Sequence, residues 1–122
     1  MPDADVRHFK GKLRRERAAI DAALIRLTGS LNGVRVARGE GSADDEHDPE
    51  GPTLSDEWSR ITGVHTELAA KSAAIDRALK RIADGTYGLC TRRGEKIGRE
   101  RLEARPAAEL CIDCARELER RH

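Results

Sequence analysis

The chain has 122 residues, of which 37% are charged and only 2% aromatic, so a thick globular core is excluded. Phe9, Trp58 and Tyr87 are its aromatic residues, and a thin seam between long helices suits such a composition better. The net charge of +1 conceals a segregation: nine basic residues against Glu16 and Asp21 from Arg7 to Arg38, eight acidic residues with no Lys or Arg from Glu40 to Glu57, and nine basic against four acidic from Arg77 to Arg105.

The N-terminal ten residues are polar and lack the apolar run of a secretion signal, and no stretch approaches the ~20 apolar residues that span a bilayer. A cytoplasmic, reducing location without membrane attachment is therefore expected, and an odd number of cysteines argues against a disulfide framework.

Val6, Leu13, Ile20, Leu27 and Val34 recur every seven residues, with Phe9, Leu24 and Leu31 between them. Leu54, Ile61, Leu68, Ile75 and Ile82 repeat the pattern, with Trp58, His65, Ser72 and Leu79 at interleaved places. Sustained heptads predict a coiled coil. At a rise of ~1.5 Å per residue, two equal helices of ~40 Å joined by one connection favour an antiparallel pair within a monomer. His65 and Ser72 are expected as half-exposed seam positions. The connection, about 35–53, contains GEGSADDEHDPEGPT, which holds one apolar residue, Ala43, and cannot bury itself. Thr53 or Ser55 can cap the second helix, with Asp56 and Glu57 favourable in its first turn.

Gly85 stops the second helix and opens a turn through Gly88. Gly94 and Gly98 predict two more turns with a short ribbon between them, and Pro106 predicts the start of a final helix over 107–120. Cys111-Ile112-Asp113-Cys114 is a CxxC pair, and Cys90 stands where a C-x2-C-x17-C-x2-C zinc frame begins, but Arg93 occupies the second position. A permanently protonated guanidinium cannot ligate zinc. Without a metal, Leu89, Ile97, Leu102 and Leu110 would hold this segment together.

The stretch GTYGLCTRRGEKIGRERLEARPAAELCIDC, residues 85–114, resembles the C-terminal module of the DksA/TraR family, most specifically in RLEARPAAELCIDC. The resemblance implies a mainly α protein: a long antiparallel coiled-coil hairpin over 1–84 with an acidic tip loop about 35–53, then a small zinc-ribbon-like finger with a short C-terminal helix over 85–122. It implies zinc on Cys90, Cys111 and Cys114, leaving the fourth position to a water or a distant group, or leaving the module metal-free. It implies a transcription regulator and not an enzyme, whose partner is RNA polymerase. The tip would enter the secondary channel toward the active centre and alter open complexes, often together with ppGpp. Asp48 and Pro49 fit the start of the family's tip pattern, with Gly51 in place of its second aspartate; another register uses Asp45 and Asp48.

Two other classes compete. A nucleic-acid-binding zinc ribbon would use the basic C-terminal segment, which lacks interleaved aromatics for base stacking, so no specific DNA binding is expected. A thiol redox sensor would use Cys111 and Cys114, without the strand–helix context of a thioredoxin-like site. The acidic run does not follow the alternating spacing of a calcium loop.

Overall fold

The computed structural model describes residues 1–40 and 53–121, with side chains given outside 34–40. The architecture is mainly α: α1 (Asp3–Glu40), α2 (Leu54–Asp84), α3 (Arg99–Ala104) and α4 (Ile112–Arg120). Among the described residues no helix is long and apolar enough to cross a membrane. The chain forms two compact units, one of 1–18 with 72–122 and the other of 19–71, and both long helices contribute to each.

In the first unit the start of α1 lies with the end of α2, an antiparallel arrangement secured outside the seam by an Arg17–Asp76 ion pair. Phe9, Leu13, Ile75 and Ala78 are buried there, and Val6, Leu79 and Ile82 are half-buried. In the second unit Ile61 is buried, and Ile20, Leu24, Leu27, Leu31, Leu54, Trp58, His65 and Leu68 are half-buried. The heptad positions are thus the covered ones in both units, because a period of 3.5 keeps one stripe of each helix facing a partner. Apolar residues off that stripe stay in water, as Ile25 does at 74% exposure.

Thr53 is the N-cap of α2: its Oγ1 accepts from the Asp56 amide at 3.0 Å, and its carbonyl accepts from the Glu57 amide. The other end closes at Gly85. The Thr86 amide donates to the Arg81 carbonyl at 2.9 Å and the Gly85 amide to Ile82, a pairing that needs the positive φ of 80° found at Gly85.

Three expectations are corrected. α1 continues to Glu40, five residues past the expected start of the connection at Arg35, since 35–40 contains no proline to stop it. The ribbon between the Gly94 and Gly98 turns is a single bridge, Leu89 to Lys96, and the short helix α3 follows it. The last helix begins at Ile112 rather than at Ala107, because the carbonyls that would start a helix there are already taken. The Tyr87 hydroxyl donates to Pro106 at 2.7 Å, Arg81 to Ala108 at 3.3 Å, the Thr91 amide to Glu109 at 2.8 Å and Arg101 Nε to Leu110 at 2.9 Å. A helix needs those acceptors for its own amides, so tertiary donors override the local propensity.

Leu13→Ala removes a fully buried side chain from the first unit and should cost about 2–5 kcal/mol in urea unfolding, whereas Ile25→Ala should stay within about 0.5 kcal/mol. Equal midpoints for the two variants would contradict this assignment of the seam.

Candidate metal centre

Cys90 enters the site from a tight turn. Its amide donates to the Glu95 carbonyl at 2.7 Å, and its carbonyl accepts from the Gly94 amide at 2.8 Å, where Gly94 supplies a φ of 74°. The Thr91 amide and hydroxyl both reach the Glu109 carbonyl, which ties this turn to the segment before α4. Cys111 sits at the N-cap of α4, and Cys114 lies in that helix's first turn. The three sulfurs come within 4.8 Å of one another, all in buried residues, and none is in a disulfide.

The packing that holds this arrangement comes from both ends of the chain. Phe9 lies 5.9 Å from the Tyr87 ring, and Ile97 and Leu102 are buried in the same unit. Leu110 is half-buried, but Leu89 is 37% exposed and holds little. Burial pushes the Tyr87 hydroxyl up to about 12, so it remains the neutral donor that Pro106 requires. Arg77 and Arg81 converge on Glu109 at 2.6 and 3.3 Å. At the other side Glu103 receives His8 at 2.7 Å and Lys12 at 3.0 Å, and Arg99 pairs with Asp5.

The electrostatics favour a charged sulfur cluster. Burial raises the Cys90 thiol, but amide donors from Cys111, Arg93 and Arg92, with a contribution from Cys114, bring it down to about 6. Cys114 goes the other way, to about 11, because of burial and the neighbouring Cys111 and Cys90 sulfurs. Two groups pushed apart in this way share their charge unfavourably until a cation is supplied. Arg93 stands at the place of the missing fourth cysteine, and Cys111, with Glu95 and Cys114, raises its pKa. It also lies 3.9 Å from Asp113.

Three soft, buried sulfur donors fit zinc, which binds thiolates in closed tetrahedral sites. Among the described residues no histidine or carboxylate joins them as a fourth protein ligand. The expected tip residues Asp45 and Asp48 lie outside the described residues. The locking contacts of Tyr87, Arg81 and Arg101 were not anticipated from sequence; the polar ends of otherwise buried side chains beside a Pro-containing segment were the available signal.

The mainly helical fold and the three-cysteine knuckle define a helical protein with a small zinc-finger module. The family model for the prokaryotic dksA/traR C4-type zinc finger matches residues 85–120. The chain is similar to the RNA polymerase-binding transcription factor DksA of Caulobacter vibrioides, 51% identical over 74 residues that cover 56% of this chain and 52% of that one. It is also similar to the factor of the same name from Escherichia coli K12, 52% identical over 40 residues, covering 33% and 26%. The chain thus spans about half the length of the first relative and about a quarter of the second. The structure of transcription factor DksA2 from Pseudomonas aeruginosa matches with a TM-score of 0.80 and 27% identity, over 99% of this chain and 88% of that one. Residues 85–120 thus match that family's zinc-finger module, and the chain as a whole is similar in fold to the DksA2 structure.

Because a metal must displace the protons of these thiols, above all that of Cys114, zinc affinity should rise steadily between pH 6 and 8. Competition with a chromophoric chelator measures it, and an affinity flat across that window would show that the thiols are not the ligands.

Proposed function

We propose that this chain is a cytoplasmic transcription regulator, not an enzyme, that acts by binding bacterial RNA polymerase. The observation that carries the reading is the match to the whole fold of transcription factor DksA2, joined to an acidic connection between the two long helices. The relatives named RNA polymerase-binding support the same partner.

In this reading residues 1–84 form the hairpin that enters the secondary channel, and residues 85–122 form the finger module that steadies its base. Cys90, Cys111 and Cys114 would hold zinc, which when bound supplies a crosslink between the Cys90 turn and the start of α4 in a module too small to cohere on apolar burial alone. The eight acidic residues from Glu40 to Glu57 give the tip its function. A narrow cavity with low-dielectric walls strengthens the field of carboxylates carried into it. Magnesium at a polymerase active centre favours hard oxygen donors. Asp45 and Asp48 are the carboxylates assigned to that approach.

Several basic residues at the end of α2 and in the module favour this reading over nucleic-acid binding. Arg77 and Arg81 are paired with Glu109, Arg92 with Glu117, and Arg99 with Asp5 and Glu103. Cations committed to carboxylates release few counterions from a phosphate backbone.

Replacing Asp45 and Asp48 together by Asn keeps size and removes charge. Binding to core polymerase, measured by co-purification, should persist, while the effect on a short-lived open complex should fall at least about tenfold, the equivalent of ~1.4 kcal/mol. Full regulatory activity in the double variant would sink the assignment of the tip.

A further inference from the structure

Where the start of α1 meets the turn through Gly88, the first unit holds a half-open recess of about 260 Å3. Asp5, Leu89, Lys96 and Arg99 stand around it, and behind them lie the buried Phe9, Tyr87 and Leu102. Two glycines in its wall, Gly88 and Gly98, take φ of 89° and 100°, a conformation that keeps side chains out of the wall. A β-carbon at 88 would come within 2.8 Å of the Met1 Cε, so the space over Gly88 already takes an apolar group from elsewhere in the chain.

The charges at the rim are unequally committed. Arg99 pairs with Asp5, lies 3.5 Å from Glu103, and holds its guanidinium 5.6 Å over the Phe9 ring. Lys96 is exposed, and no ion pair engages it among the described residues. With Asp5 neutralised by Arg99, the recess presents the single positive charge of Lys96. A planar guanidinium has two faces, and at 55% exposure the Arg99 side chain leaves the one away from Phe9 within reach of a second ring.

We infer that this recess is a binding site for a small aromatic carboxylate, whose ring lies against the Arg99 guanidinium beside Leu89 and whose carboxylate meets Lys96. The volume falls below the roughly 300–1,000 Å3 of pockets for drug-sized ligands, so the occupant is small. One uncommitted cation matches one carboxylate, whereas a multiply charged anion would face Asp5 without further compensation. The site lies between α1 and the finger inside one compact unit, so a bound ligand stabilises their packing by mass action.

Amide-resonance titration of the full chain with phenylacetate tests this, at constant ionic strength. The Gly88, Leu89 and Gly98 amides should shift with a Kd of about 1 mM, the affinity that a ligand of about ten heavy atoms reaches at ordinary efficiency. Phenylacetamide, neutral and of the same size, should bind about threefold more weakly, as the loss of an exposed ion pair predicts. Cyclohexylacetate, with the carboxylate but no aromatic ring, should also bind at least about twofold more weakly. Lys96→Gln should bring phenylacetate to the level of phenylacetamide and leave the amide's own affinity unchanged. Leu89→Trp, at a position 37% exposed, should fill the recess and weaken all three ligands about tenfold.

Each failure strikes a different part. Absence of saturable shifts at Gly88, Leu89 and Gly98 overturns the site, as do shifts spread over the whole basic surface. Equal affinity for acid and amide, or phenylacetate binding untouched by Lys96→Gln, overturns the carboxylate. Cyclohexylacetate binding as tightly as phenylacetate overturns the stacking on Arg99. Should Leu89→Trp fail to fold, the Lys96→Gln comparison, made at an exposed side chain, still decides the matter.

Discussion

The five residues from Pro106 to Leu110 are the constraint on which the finger depends. Four of their carbonyls accept hydrogen bonds from distant donors: Tyr87, Arg81, Thr91 and Arg101. Held this way, the segment cannot coil into helix, and α4 has to begin one residue after Cys111. That start places Cys111 and Cys114 against Cys90. Any one of these bonds contributes little net free energy, but a buried carbonyl left without a donor costs more than the bond gains. The arrangement is therefore enforced mainly by what it would cost to leave it.

The same donors connect the finger to α2. Arg81 bonds the Ala108 carbonyl and Glu109 while its own carbonyl accepts the Thr86 and Tyr87 amides that end the helix. One residue thus takes part both in stopping α2 and in holding the approach to the cysteines. Glu103 plays a similar part toward α1, where it gathers His8 and Lys12. Glu103, Glu109 and Glu117, scattered among the basic residues of the C-terminal segment, are internal partners, so a charge count alone overstated the basic surface.

Much of the fold was legible because it rests on periodicity. Heptads identify the covered stripe of a long helix, and Phe9, Leu13, Ile61 and Ile75 are buried as that stripe requires. Gly85 and Thr53 were legible too, since helix ends obey local chemistry. The final helix was placed too early because Pro106, followed by Ala107 and Ala108, carries a helix-start signal, and nothing local announces that the carbonyls of 106–110 are claimed from 9 to 27 residues away. The cysteine cluster could be read from spacing, which counts residues. The approach of Arg93 to Asp113 could not, because a spacing shows that a ligand is missing without showing where its replacement points. Asp45 and Asp48 were legible only as charge in a connection without apolar anchors.

The first compact unit is assembled from the two ends of the chain, 1–18 and 72–122, although the recognisable finger occupies only 85–120. Phe9 and Leu13, among the best-buried side chains of that unit, come from the opposite terminus to the cysteines. The finger is consequently not a portable cassette. A fragment cut at Gly85 would carry every sulfur but expose the Tyr87 face on which Phe9 rests. During synthesis Phe9 lacks its Tyr87 partner until the last third of the chain has emerged.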